Sequence, residues 1–196
     1  EKTSYLLYDA VKRQMISDIP ICTLLSGGVD SSLVSAICAK ELKREGLQLR
    51  TYSFDFKDNA KHFQANSFQP TQDRPYVDIM KDFIGSSHNY LECDNLDLAD
   101  NLYPAVDARD LPNMGDVESS LLYFCRKVAS QTKVALTGEC ADEIFGGYPW
   151  INKPELMNLD TFPWSGNMDT RKFLLSQDLL SSLDLEGYVQ AAYEKS

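Results

Sequence analysis

Apolar and polar positions along the first 140 residues alternate between two rhythms, one near 3.6 and one near 2. Residues 3–17 place Tyr5, Leu6, Tyr8, Val11, Met15 and Ile16 close to helical period. Asp18-Ile19-Pro20 ends that helix and launches an apolar run over 19–25 with the length and composition of a buried parallel strand. Ser26-Gly27-Gly28 reads as a tight turn, after which a helix starts at Asp30 with Leu33, Val34, Ile37 and Cys38 on one stripe. It runs to about Glu45, where Gly46 is a plausible cap. Residues 47–56 are rich in aromatic and β-branched side chains and form a second strand. Residues 57–73 read as a polar loop, long enough to be functional or mobile, and 76–83 as a helix ended near Gly85. A third strand covers 87–93, in which His88 is expected to be a hydrogen-bonded structural residue. Helices over 95–106 and 117–130 flank a polar loop at 107–115, the second helix with Leu121, Leu122, Phe124, Cys125 and Val128 facing inward, and 133–137 makes a fourth strand.

This alternation predicts a parallel, doubly wound α/β sheet. Ligands of such sheets sit at the carboxyl ends of strands, near the reversal of strand order. Three suggestive segments, after Leu25, after Tyr52 and after Leu136, lie at such ends. The tail from 152 to 196 carries Phe173, Leu174, Leu175, Leu179, Leu180 and Leu183 at mixed spacing. It reads as a small helical cap, expected to be mobile in part or used in self-association, with a homodimer left open.

Charge and composition narrow the function. A net charge of −10 argues against general nucleic-acid binding, which needs a basic face. It leaves room for a nucleotide site built on backbone amides and a magnesium ion. No apolar run approaches the roughly eighteen residues of a membrane span, and no signal peptide is read at the start. Five scattered cysteines show no paired metal-ligand spacing and point to a reducing, cytoplasmic setting. Starting on a helix without methionine, the chain reads as a piece of a longer protein.

The candidate chemistry lies at two strand ends. Strand, glycine turn and helix N-terminus together form an anion site, because unpaired N–H groups and the positive end of the helix dipole converge. Ser26, Ser31 and Ser32 add hydroxyls, and Asp30 can hold a cation that bridges phosphate oxygens. The turn lacks the lysine of the common nucleoside-triphosphate loop. After the fourth strand, Thr137-Gly138-Glu139-Cys140-Ala141-Asp142-Glu143 puts three carboxylates within five residues. Alone, that run would be an acid-decorated helix start. Paired with the first turn, it lets Asp30 and Asp142 share a magnesium ion.

SGGVDSS resembles the loop of the ATP enzymes that release pyrophosphate. Together with GECADEIFGGY it resembles the synthetase domain of glutamine-hydrolysing asparagine synthetases, over about residues 1–150. The resemblance implies a sheet of the adenine-nucleotide alpha-hydrolase type, a synthetase domain at 1–150 and a helical extension at 151–196. It implies that ATP activates the aspartate side-chain carboxylate as β-aspartyl-AMP, releasing pyrophosphate, and that ammonia from a glutaminase domain then gives asparagine and AMP. Carried onto this chain, Ser26, Gly27, Gly28, Asp30, Ser31 and Ser32 would hold the pyrophosphate end of ATP. Leu25 and Phe56 would flank the adenosine, and Thr137 with Gly138 would contact the nucleotide. Asp30 and Asp142 would be the magnesium ligands, Glu139 would act on the incoming ammonia, and Asp110 with Pro112 resembles a cleft-lining D-x-P element. The family's catalytic N-terminal cysteine, its E-V-R-x-P-like segment and its active-site lysine have no match in these residues. Two alternatives stay open: another acyl-adenylating synthetase, such as a β-lactam synthetase, and an ATP-binding fragment without turnover.

Overall fold

The computed structural model describes residues 1–65, 69–112 and 114–196. Residues 66–68 of the expected 57–73 loop, and residue 113 of the expected 107–115 loop, lie outside the described residues. In chain order the elements are α1 (Lys2–Gln14), β1 (Ile21–Leu24), α2 (Val29–Arg44), β2 (Arg50–Phe56), α3 (Asn59–His62), α4 (Arg74–Ile84), β3 (Ser87–Cys93), α5 (Asn95–Arg109), α6 (Gly115–Ala129) and β4 (Val134–Leu136). Then come α7 (Ala141–Phe145), α8 (Pro154–Met157), α9 (Asp169–Phe173), α10 (Gln177–Ser182) and α11 (Leu185–Tyr193), with short 3-10 turns at Pro149–Asn152 and Pro163–Ser165. The chain divides into two compact units, Glu1–Glu139 and Cys140–Ser196.

The first unit is an α/β layer structure around four parallel strands in the order β3-β2-β1-β4. The chain steps outward from β1 to β2 to β3 and returns to the other side of β1 for β4, so strand order reverses between β1 and β4. Both sheet faces are covered, and β1 shows why its apolar run is continuous. Ile21 packs with Cys38, Ala39, Leu49 and Leu136 against α2, whereas Cys22 packs with Tyr52 and Val128 on the α6 side. Burial pushes the Cys22 thiol up to about 11 and the Cys38 thiol to about 12, which suits structural cysteines.

Several expectations shift in detail. The buried face of α2 carries Ile37 and Cys38 of the expected stripe together with Ser31, Ser35 and Ala39, while Leu33 is 40% exposed. Small side chains let the helix lie close to β1, where the Ser35 and Thr23 hydroxyls pair at 2.7 Å. Likewise α6 buries Ser119, Ser120, Phe124 and Val128, and Cys125 points outward. The second strand begins at Arg50 rather than at 47, because the Leu47 N–H closes onto the Leu42 carbonyl at 2.9 Å and so finishes α2. The described part of the 57–73 loop contains the short helix α3. Helix α5 continues through Pro104 to Arg109, past the expected end, and starts on a capping box between Asp94 and Asp97.

His88 takes the expected structural role. It bridges the hydroxyls of Thr51, 2.7 Å from Nδ1, and Ser53, 3.0 Å from Nε2. Burial, then the charge of Lys81, lowers its pKa to about 4, so it is neutral near pH 7.

In the second unit the one buried residue among those described is Ser165. Aromatic contacts hold it together instead: Tyr148 stacks on Trp150 with centroids 4.5 Å apart, and Phe162 on Trp164 at 5.0 Å. The apolar side chains Phe173, Leu174, Leu179 and Leu183 lie at its surface.

One polar cluster anchors α1 to α2. The buried Glu41 carboxylate accepts from the Tyr8 hydroxyl and pairs with Arg44 and, at 3.0 Å, with Lys12. The Tyr8 hydroxyl first, then Lys12, hold its pKa below the ordinary glutamate range. A carboxylate lowered in this way stabilises the fold above its unfolded pKa and loses that contribution as pH falls through the folded one. Glu41→Gln should therefore melt at a lower temperature than wild type above about pH 4.3. In thermal melts at decreasing pH the two proteins should converge.

Candidate functional site

The β1–α2 turn is shaped by packing from both sides. Gly27 has φ +82°, and a Cβ there would lie 2.6 Å from the Tyr76 Cβ and 2.8 Å from the Val77 nitrogen, so the first turn of α4 rests on the loop. Inside the loop the Ser31 hydroxyl acts as a staple. It pairs with the Ser26 Oγ at 2.9 Å, accepts from the Ser26 N–H at 3.2 Å and donates to the Gly28 carbonyl at 3.2 Å. Gly28 is the N-cap of α2, and no side chain caps that helix. Its first N–H groups therefore have no intrahelical partner and no side-chain cap. Ser32 carries a second open group: its Oγ is buried without a hydrogen-bond partner among the described residues.

The loop after β4 lies directly on this turn. A Cβ at Gly138 would sit 2.8 Å from the Ser31 nitrogen and 2.9 Å from the Asp30 carbonyl carbon, so only a residue without a side chain lets the two backbones meet. That contact brings Thr137, Gly138 and Glu139 to the same rim as Ser26, Gly28, Asp30 and Ser31. Together they line a cleft of about 580 Å³ at the carboxyl ends of the strands. Its size falls within the roughly 300–1,000 Å³ of small-molecule sites. Leu25 and Phe56 are also in its wall.

Of the other expected site residues, Gly27 is taken up by α4, and Ser32, with its orphaned hydroxyl, is not among the described residues lining the cleft. Asp142 belongs to the second unit. There its carboxylate folds over Gly147, where an added Cβ would lie 1.8 Å from Oδ1, and the Gly146 and Gly147 N–H groups bond its carbonyl. Glu143 accepts from the Tyr148 hydroxyl at 2.7 Å. Cys140, between Glu139 and this short helix, has φ +68°, a costly conformation for a non-glycine residue. Asp110 ends α5 in the left-handed region, and neither it nor Pro112 is among the described residues lining the cleft.

The cleft also holds residues that sequence reasoning passed over: Phe54, Asp55, Asn59, Gln72, Asp73, Arg74 and Tyr90. Phe54 shares a strand face with Tyr52 and Phe56 by period two, and its ring stacks on Phe124 with centroids 4.4 Å apart. Tyr90 sits on the third strand, one position pair beyond His88. Nothing local marked Arg74, which stands where the polar loop turns into α4. The Asp73 carboxyl is raised above its ordinary range, chiefly by desolvation; a Gln69 hydrogen bond opposes this and the Asp55 carboxylate adds to it.

Comparisons with known proteins place these features in context. A family model described as asparagine synthase matches residues 2–196. Glutamine-hydrolyzing asparagine synthetase 3 of Bacillus subtilis is 46% identical over 192 residues, which cover 97% of this chain and 31% of that protein. The glutamine-hydrolyzing asparagine synthetase of Sandersonia aurantiaca is 29% identical over 160 residues, covering 78% of this chain and 29% of its own. A putative asparagine synthetase 2 of Methanocaldococcus jannaschii is 30% identical over 149 residues, covering 76% and 26% respectively. The chain thus spans between 26% and 31% of the length of these relatives.

The backbone contact at residue 138 is open to direct test. Gly138→Ala should destabilise the first unit by about 1–3 kcal/mol, the usual cost of overpacking. Chemical denaturation measures it, and a variant as stable as wild type would mean that the two loops do not touch.

Proposed function

Because the chain belongs to the asparagine synthase family, we propose that it is the nucleotide-binding, amide-forming part of an ATP-dependent asparagine synthetase. Residues 1–150 are its synthetase domain and 151–196 a helical extension. One observation carries the reading: the uncapped N-terminus of α2 and the carboxylate of Glu139 face one cleft at the reversal of strand order. An anion-binding helix end beside a carboxylate suits a reaction that expels pyrophosphate and then accepts an amine.

The residues present fit the group they would hold. The open N–H groups of α2 and the unpartnered Ser32 hydroxyl suit phosphate oxygens. For the metal, the described residues contain no cluster of three or more His, Cys, Asp or Glu side chains able to hold an ion. Mg²⁺ commonly takes only one or two carboxylates together with phosphate oxygens and water. Asp30, at the rim of the cleft, would be one such carboxylate, and the ion would supply charge neutralisation of the pyrophosphate.

In this reading Leu25 and Phe56 flank the adenosine, and Thr137 and Gly138 contact the nucleotide from the neighbouring strand. Ser26, Gly27, Gly28, Asp30, Ser31 and Ser32 cradle the pyrophosphate end. An oxygen of the aspartate side chain attacks the α-phosphorus, the α–β bridge breaks, and pyrophosphate leaves from the α2 end of the cleft. Ammonia then attacks the acyl carbon of β-aspartyl-AMP, and the bond to AMP breaks. Glu139 positions the amine and takes the proton it must lose. A glutaminase domain of the parent protein supplies the ammonia in a cytoplasmic setting.

Phosphorus NMR of the chain with ATP, Mg²⁺, aspartate and ammonia tests the reaction. AMP and pyrophosphate appearing only with aspartate is the expected result. Perturbed ATP signals without products would reduce the chain to a nucleotide-binding module, and unperturbed signals would overturn the reading.

Two substitutions separate the roles. Asp30→Ala should fold normally and lose magnesium-dependent ATP binding. Glu139→Gln should keep ATP affinity and slow amide formation roughly 10²–10⁴-fold, the range for loss of a general base. Equilibrium binding and product assays distinguish them.

A further inference from the structure

The cleft has a charge problem that its loop does not solve. Residues 25–32, Leu-Ser-Gly-Gly-Val-Asp-Ser-Ser, contain no lysine or arginine, and Asp30, Asp55, Asp73 and Glu139 surround the cavity with carboxylates. Among the described residues lining the cleft, the one cationic side chain is Arg74.

Its place is set by the packing already described. Arg74 opens α4, two residues before Tyr76, whose Cβ and following backbone occupy the space a side chain at Gly27 would need. The close approach that demands glycine in the loop therefore brings the first turn of α4, and Arg74 with it, to the loop's edge. The guanidinium lies over the Tyr90 ring, 4.2 Å from its centroid. The Tyr90 hydroxyl in turn donates to Asp78, which Lys81 approaches at 3.3 Å. One Arg74 N–H reaches Glu92 at 3.2 Å, in a pair whose side chains are 48% and 49% exposed. A pair so exposed is weak and exchangeable. A guanidinium carries five N–H donors, more than that pair uses, and the aromatic face orients their plane in advance.

We propose that Arg74 binds a phosphate oxygen of the nucleotide and supplies the direct positive charge that the glycine loop lacks. The inference rests on the ATP reading above. Phosphate is favoured over an amino-acid carboxylate because Arg74 borders the loop on the Gly27 side, whereas Glu139 and the β4 end form the opposite contact, at Gly138.

The test compares equilibrium binding of MgATP, magnesium pyrophosphate, adenosine and aspartate to wild type, Arg74→Met and Arg74→Lys at one salt concentration. Thermal melts confirm the fold, and Arg74→Lys keeps charge and length if the methionine variant is unstable. Arg74→Met should weaken MgATP and pyrophosphate roughly ten- to hundredfold, as for loss of a charge-assisted hydrogen bond, and leave adenosine unchanged. Arg74→Lys should fall between, because an ammonium cannot reproduce the planar fork. Unchanged MgATP and pyrophosphate affinity in both variants would overturn the proposal. So would an equal loss for adenosine, which would make Arg74 a wall residue, or a loss confined to aspartate, which would assign it to the carboxylate. Wild type that fails to bind MgATP would instead sink the ATP reading, independently of any variant.

Discussion

Where β1 and β4 end, two backbones meet in a space too small for a methyl group, and the cleft exists because of that meeting. With any side chain at residue 138, the β4 loop would stand off from Asp30 and Ser31, and Glu139 would leave the rim it shares with the N-terminus of α2. The contact is itself a product of topology. Strand order reverses between β1 and β4, so the loops that leave the carboxyl ends of these two neighbouring strands border one crevice. A second glycine, at 27, does the same work on the far side by seating the first turn of α4. The cleft is thus held between two backbone approaches, one on each side of the β1 turn.

Burial behind the cleft keeps that arrangement rigid. Leu25, 1% exposed, continues the sheet through a 2.7 Å hydrogen bond from its N–H to the Tyr52 carbonyl, and Tyr52 is fully buried. The polar residues nearest the rim are mostly satisfied within the protein. Ser31 staples its own loop, Asp55 accepts from the Phe56 and Asn59 nitrogens, and Thr23 pairs with Ser35. Against that background the open N–H groups at the start of α2 stand out as donors with capacity left for a ligand. Local satisfaction elsewhere makes their availability informative.

Electrostatics adds a tension. Carboxylates are the right ligands for magnesium and the right acceptors for a proton, yet several of them in one cleft repel the polyphosphate they would help to process. In the proposed ATP reading, amide donors and a nucleotide-borne cation would offset part of this repulsion, and a guanidinium stacked on Tyr90 would offset more.

Much of this was legible in the chain itself. Hydrophobic period marked the strands and the major helices, because a sheet covered on both faces needs continuous apolar runs such as 21–25, and amphipathic helices must turn one face inward. The two strand-end motifs were legible because glycine and short polar side chains are costly inside regular elements and so mark turns that serve another purpose. Hidden from the sequence was everything that depends on which backbone touches which. Small serines rather than leucine face the sheet from α2, Leu47 completes a helix instead of starting a strand, and Arg74 and Tyr90 join a cleft otherwise built from distant segments. Local patterns record how each segment meets water or apolar surroundings. Close approach between segments leaves no periodic trace, so only the tertiary structure could decide it.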